Sequence, residues 1–196
     1  MELKLVSFRQ LHSDEVNAEL RALLSIAAPI IATSFLSFLL SVVDLAFVGH
    51  LGRDEFAAAS LGTAYYNTIT YPLTGVAMAL DTLLSQAYGA QNLVAYGEWA
   101  ICGAVVLTAL CVPAALLLLL VHPILLLIGQ DENLAVEASG FVLRLIPGMP
   151  AAVLASVLTK YLQAQHILRP SLAVAAAANV FNVMANYFLI FTLGLG

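Results

Sequence analysis

The chain has 196 residues, 62% of them hydrophobic and only 10% charged, with a mean hydropathy of +0.96. Soluble domains run at about 45–50% apolar and about 25% charged, and a soluble fold of this size has too much surface for its volume to hide the excess. With a net charge of −5 and a pI of about 5.2, the composition excludes a disordered chain, a basic nucleic-acid surface and a water-soluble enzyme, and it makes lipid the solvent for most of the sequence.

Residues 1–21 carry Glu2, Asp14, Glu15 and Glu19. They have no apolar core ahead of a small-residue cleavage site, so they do not read as a signal peptide. They read as a cytoplasmic amphipathic lead-in. Five apolar runs follow, at about 22–48, 56–80, 96–121, 134–161 and 170–192, each near the length of about 20 residues that crosses a bilayer as a helix. The first holds one acid, Asp44. The second and fifth hold no charge, and the third holds none after Glu98. The fourth holds Glu137, Arg144 and the run Pro147-Gly148-Met149-Pro150. These runs are too long and too uniformly apolar for β-barrel strands. In lipid the backbone must satisfy its own hydrogen bonds, so each is read as a helix. The expected fold class is all-α, a polytopic bundle of five transmembrane helices.

Lys4, Arg9, Arg21, Lys160 and Arg169 fall on one side of these spans and Arg53 on the other, which places the N-terminus in the cytoplasm. Loops 49–55 and 122–133 then face out, and loops 81–95 and 162–169 face in. The sequence stops at Leu193-Gly194-Leu195-Gly196, directly after an odd number of spans. That pattern is expected of a piece of a larger protein.

Ionisable and polar groups inside the spans carry the functional signal. Asp44 sits four residues before Val48, near one end of the first span. It either snorkels to the surface as a packing contact or faces a bundle cavity, where it exchanges a proton or a cation. Asn179, Asn182 and Asn186 share one face of the fifth span, because offsets of three, four and seven residues stack on a helix. They serve either as interhelical packing, at about 0.6–2 kcal/mol each, or as the polar wall of a cavity. Spans one and five run the same way, and Asp44 and Asn186 fall within about one turn of equal depth.

Pro29 in the first span, Pro72 and Gly75 in the second, and Pro147 and Pro150 in the fourth mark bends, static or hinging. Asp81 reads as a helix-end or loop contact. Cys102 and Cys111 lie nine residues apart, roughly 13 Å along a helix, and cannot pair with each other. His12, His50, His122 and His166 sit at span ends or in loops with no two at ligand spacing, so no metal site is expected. There is no G-x-S-x-G elbow and no Walker A run, so neither an enzyme nor an ATP-driven pump is expected.

Several segments resemble the multidrug and toxic compound extrusion (MATE) transporters. They are Phe47-Val48-Gly49-His50-Leu51-Gly52 with Ala59-Ser60-Leu61, the run Ala79 to Ala90 ending in Ser85-Gln86-Ala87-Tyr88-Gly89-Ala90, Ile146 to Pro150, Lys160 to Gln165, and Ala178-Asn179-Val180-Phe181-Asn182. The resemblance runs from about Leu24 to Gly196, and the forms look eukaryotic rather than bacterial. It implies two six-helix lobes around a central cavity, of which this chain would be a truncated N-terminal lobe lacking its sixth helix and the C-terminal lobe. It implies a secondary-active antiporter that exports small organic solutes in exchange for protons or sodium ions, with no cofactor beyond the ion gradient, in the plasma membrane or a vacuolar or other internal membrane. Asp44 matches the family's helix-one acid, Asn182 an amide on helix five, and Pro29 a helix-one proline linked to bending. Asn186 stands where prokaryotic members carry a second acid, and Asn179 is a further candidate for the cavity lining. The alternatives are a related flippase for lipid-linked oligosaccharides and a non-transporting membrane partner.

Overall fold

The computed structural model describes residues 13–193. Most of the expected lead-in, with Lys4, Arg9 and His12, and the glycine-rich end at 194–196 lie outside the described residues. Every element among the described residues is helical: α1 (Ser13–Val48), α2 (Arg53–Gly89), α3 (Leu93–Leu119), α4 (Val121–Leu127), α5 (Glu132–Leu145), α6 (Met149–Ala164) and α7 (Arg169–Tyr187). A 3₁₀ turn, Ile146–Gly148, joins α5 to α6, and a π-helical turn, Phe188–Thr192, extends α7. The result is five long rods and one short helix.

Four rods are long and apolar enough to cross a membrane: Val16–Val48, Leu93–Leu119, Glu132–Ala164 and Arg169–Thr192. The second expected span, 56–80, lies inside α2, which is 37 residues long but too polar to meet the same composition test. α2 packs one face against α3, α5 and α6, while Thr63 and Thr68 on its other faces stay exposed. The Tyr65 hydroxyl donates at 2.8 Å to the Leu117 carbonyl, which also accepts the Leu120 N–H at 3.2 Å in the turn that ends α3. The Thr68 and Thr70 hydroxyls bond back to Ala64 and Tyr66 carbonyls at 2.8 and 2.9 Å.

Two expected loops are largely helix. Of the segment 81–95, only Ala90–Asn92 lies outside α2 and α3. The tight turn is closed by Gln91 at φ 57 and by Asn92, whose side chain accepts the Ala95 N–H at 3.1 Å. Asp81 is therefore two turns inside α2 rather than at its end. It meets Lys160 of α6 at 2.7 Å. The expected loop 122–133 begins with α4, because Val121 and Leu125 are fully buried in one cluster with Leu118, Ala135 and Val142. Burial of that apolar pair outweighs the proline at 123, which sits in the first turn where its missing N–H costs nothing. Gly129, at φ +82, closes α4.

The fourth rod changes from α to 3₁₀ and back across Pro147–Pro150, where two prolines remove backbone donors. Pro29 and Pro72, by contrast, lie within continuous α-helix. The core has two clusters, one around Cys111, Leu118 and Val142, and the other around Leu80, Leu84 and Leu107. Both join α2 to its neighbours. α1 packs chiefly on α7 and more lightly on α2. No residue of α7, and none of α1 from Val16 on, is fully buried.

Gly62 sets the α2–α5 distance. A Cβ there would lie 2.9 Å from Phe141 Cδ1 and 3.2 Å from the Ala138 carbonyl oxygen. Gly62→Leu is expected to lower stability by about 1–3 kcal/mol through overpacking, seen as an earlier melt in lipid nanodiscs. Gly75→Ala, which faces open space, is expected to leave the melt unchanged or raise it slightly. An unchanged Gly62→Leu melt would contradict the close packing of these helices.

Candidate functional site

α1 and α7 lie side by side and run in the same direction, so that Leu36 faces Asn179, Asp44 faces Asn182 and Asn186, and Phe47 faces Phe191. The α7 face turned toward α1 carries Ala175, Ala178, Asn179, Asn182, Ala185 and Asn186, all half-buried. Alanines at this spacing let two backbones approach closely, and the amides between them then reach the partner helix.

The Asp44 carboxylate points at α7 and not away from the bundle. Its Oδ1 accepts from Asn182 Nδ2 at 2.7 Å and from Asn186 Nδ2 at 2.8 Å, and Asn186 Nδ2 also donates to Asn182 Oδ1 at 3.2 Å. Hydrogen bonds to an ionised acceptor are short and contribute about 1.5–3 kcal/mol each. Among the described residues Asp44 has no cationic partner, and no hydrogen bond reaches Asp44 Oδ2 or Asn186 Oδ1. The cluster thus offers one net negative charge and two free oxygen acceptors. Carboxylate and amide oxygens are the donors that a proton or a small hard cation prefers. Aromatic rings, largely exposed, meet at the end of the helix pair nearest the cluster. Phe191 lies 6.3 Å from Phe47, 6.4 Å from His50 and 5.4 Å from Tyr187 between ring centroids.

Asn179 does not join this cluster. Its Nδ2 donates to the Leu36 carbonyl of α1 and to the Ala175 carbonyl of its own helix, both at 2.9 Å. Pro29 lies fifteen residues before Asp44, about 22 Å along α1, and its carbonyl accepts the Thr33 hydroxyl at 2.8 Å. Among the described residues no group of three or more His, Cys, Asp or Glu side chains is placed to hold a metal ion.

A feature the sequence reading missed is a cavity of about 200 Å³ between α2, α3 and α6, with Tyr66, Thr70, Thr74, Met149 and Ser156 in its wall. Its signal was present, since Tyr66, Thr70 and Thr74 recur every fourth residue along one face of α2. No residue of α1 or α7 lines it. It is smaller than the 300–1,000 Å³ of pockets that enclose drug-sized ligands.

The family model described as MatE matches residues 29–188. The chain belongs to the MatE family. It is 38% identical over 193 residues to multidrug and toxin extrusion protein 2 of Mus musculus, which covers 98% of this chain and 34% of that protein. It is 40% identical over 183 residues to multidrug and toxin extrusion protein 1 of Xenopus tropicalis, covering 93% of this chain and 32% of that protein. The crystal structure of the eukaryotic MATE transporter AtDTX14 superposes with a TM-score of 0.85 at 31% identity, over 91% of this chain and 40% of that one. The MatE chain spans about a third of the length of the curated relatives it matches. These relatives are named as transporters and extrusion proteins, not enzymes, and MatE proteins reside in membranes.

The Asp44 cluster makes a measurable coupling between α1 and α7. A double-mutant cycle of Asp44→Ala with Asn186→Ala, read by melting in nanodiscs at neutral pH, is expected to give an interaction of about 1–3 kcal/mol. A coupling near zero would show that the bond does not hold the helices together.

Proposed function

We propose that this MatE chain supplies the ion-coupling site of a secondary-active antiporter, which exports organic solutes in exchange for protons or sodium ions. The observation that carries the reading is the Asp44 carboxylate held by Asn182 and Asn186 between two apolar helices. A single negative charge with two free oxygens is a site that one proton or one monovalent cation neutralises. Neutralisation weakens both charge-assisted bonds that join α1 to α7. The occupied and empty forms therefore favour different arrangements of that helix pair, which is the differential affinity an exchange mechanism requires. The relatives named as multidrug and toxin extrusion proteins support an organic solute as the exported partner.

The working transporter on this reading contains more protein than the described helices. The 200 Å³ cavity is too small for a drug-sized solute, and the chain spans about a third of the length of its curated relatives. A second lobe beside this one closes the solute path. The N-terminus lies in the cytoplasm, by the lysine and arginine bias across the spans, and the membrane is the plasma membrane or an internal one.

The test is Asp44→Asn in the complete transporter, reconstituted in vesicles with an imposed proton or sodium gradient and a fluorescent organic cation as solute. Gradient-driven efflux is expected to fall about tenfold or more, while solute movement down its own gradient persists. Unchanged gradient-driven efflux would remove Asp44 from the mechanism.

A further inference from the structure

Asn179 poses a question that the Asp44 cluster does not answer. Its amide spends both hydrogens on backbone carbonyls, at Leu36 and Ala175, while its Oδ1 is buried with no hydrogen-bond partner. A buried acceptor without a donor is destabilising, and an alanine in its place would remove that defect. What an alanine would also remove is the bond to Leu36, a contact that crosses between α1 and α7.

The placement of that contact matters. Leu36 lies seven residues after Pro29 and eight before Asp44, about 12 Å from the latter along α1. The surrounding face of α7 is built from Ala175, Ala178 and Ala185. Small side chains permit close approach but give little resistance to one helix sliding or turning against the other. One attachment at Asp44 fixes a point and not a register. A second attachment about two turns away fixes both the translation and the rotation of α1 on α7. It also joins the segment from Leu36 to Val48 to α7 as one unit.

We propose that Asn179 is a positioning residue for the Asp44 site, tying the α1 backbone at Leu36 to α7 and so holding Asp44 in register with Asn182 and Asn186. Its bearing on ion coupling rests on the function proposed above, but its effect on geometry does not. A test of the geometry alone separates failure of one from failure of the other.

The full chain in lipid nanodiscs is measured by infrared spectroscopy. The Asp44 carboxylate stretch is isolated by subtracting the spectrum of Asp44→Asn, and the melting temperature is recorded in parallel. Asn179→Ala is expected to shift and broaden that stretch toward a less hydrogen-bonded carboxylate, with the melting temperature unchanged or raised. Asn179→Ser, too short to reach Leu36 but still polar, is expected to act likewise. Thr33→Val, which removes a hydroxyl bond within α1 and leaves the tether alone, is expected to leave the stretch in place. An unmoved stretch in both Asn179 variants would overturn the proposal. So would an equal shift in Thr33→Val, or loss of the melting transition in both Asn179 variants, since the residue would then support the helix pair in general and not the register of Asp44. Loss of gradient coupling in Asp44→Asn tests the function, and either result there leaves the outcome on Asn179 standing.

Discussion

A carboxylate placed between two apolar helices constrains everything around it. Insertion of an Asp costs about 2.5–3.5 kcal/mol at a helix centre and less near a helix end, where Asp44 sits, so two charge-assisted hydrogen bonds at about 1.5–3 kcal/mol each are enough to offset it. Asp44 finds both donors on α7, at 2.7 and 2.8 Å. That requirement is met by α1 and α7, far apart in sequence, lying side by side, and the alanines and asparagines of the shared face let the two backbones approach closely enough for the bonds to form.

The rest of the MatE chain is held by different means. α2 stands at the centre of α3, α5 and α6, and its contacts are those of an ordinary core, with Leu84, Leu107, Leu118 and Leu125 fully enclosed. Polar clamps fasten the end of this group nearest Ala90. Asp81 meets Lys160, the Tyr96 hydroxyl donates to the Tyr161 carbonyl, and Gln165 donates to the Tyr96 hydroxyl at 3.2 Å. The charged pair is half in solvent on the Asp81 side and is of the kind that contributes about 1 kcal/mol or less, so the core packing dominates. A group of rods with a buried apolar core thus stands beside a helix pair that has no fully buried residue among those described and is joined by small-residue packing, aromatic contacts and polar bonds. On the function proposed above, ion coupling belongs to that pair, because a change of charge at Asp44 would alter bonds that cross between its helices.

Much of this was legible in the sequence because lipid simplifies the problem. With no water to satisfy the backbone, long apolar runs have helix as their one solution, and the run boundaries follow from composition. The face shared by Asn179, Asn182 and Asn186 follows from helical period alone. Where the reading fell short, the signal was weak or absent. The α2 rod is less apolar than the other four and carries polar residues on its packed face, such as Tyr66 and Thr70, and on its exposed ones, such as Thr63 and Thr68, and composition alone does not tell these faces apart. The segment 81–95 reads as a loop by its polar residues and glycine, such as Asp81, Gln86, Gly89 and Asn92, yet polar residues continue a helix freely beyond an apolar span. The α4 helix forms because Val121 and Leu125 meet α5, which no local pattern reveals. The Leu36 carbonyl that receives Asn179 is a backbone group and leaves no trace in the sequence.

The sequence by itself determined that this MatE chain is a bundle of membrane-crossing helices, that Asp44 is the acid within its first span, and that three amides share a face of its fifth. Those properties depend on hydropathy and on the 3.6-residue period, which are local. Only the tertiary structure decided that Asp44 turns inward and spends one oxygen on Asn182 and Asn186 together, while Asn179 grips the backbone at Leu36 instead. That division depends on the rotation and translation of two helices more than a hundred residues apart in sequence. A shift of a single residue along α1 would carry the carboxylate about 100° around the helix and out of reach of the amides.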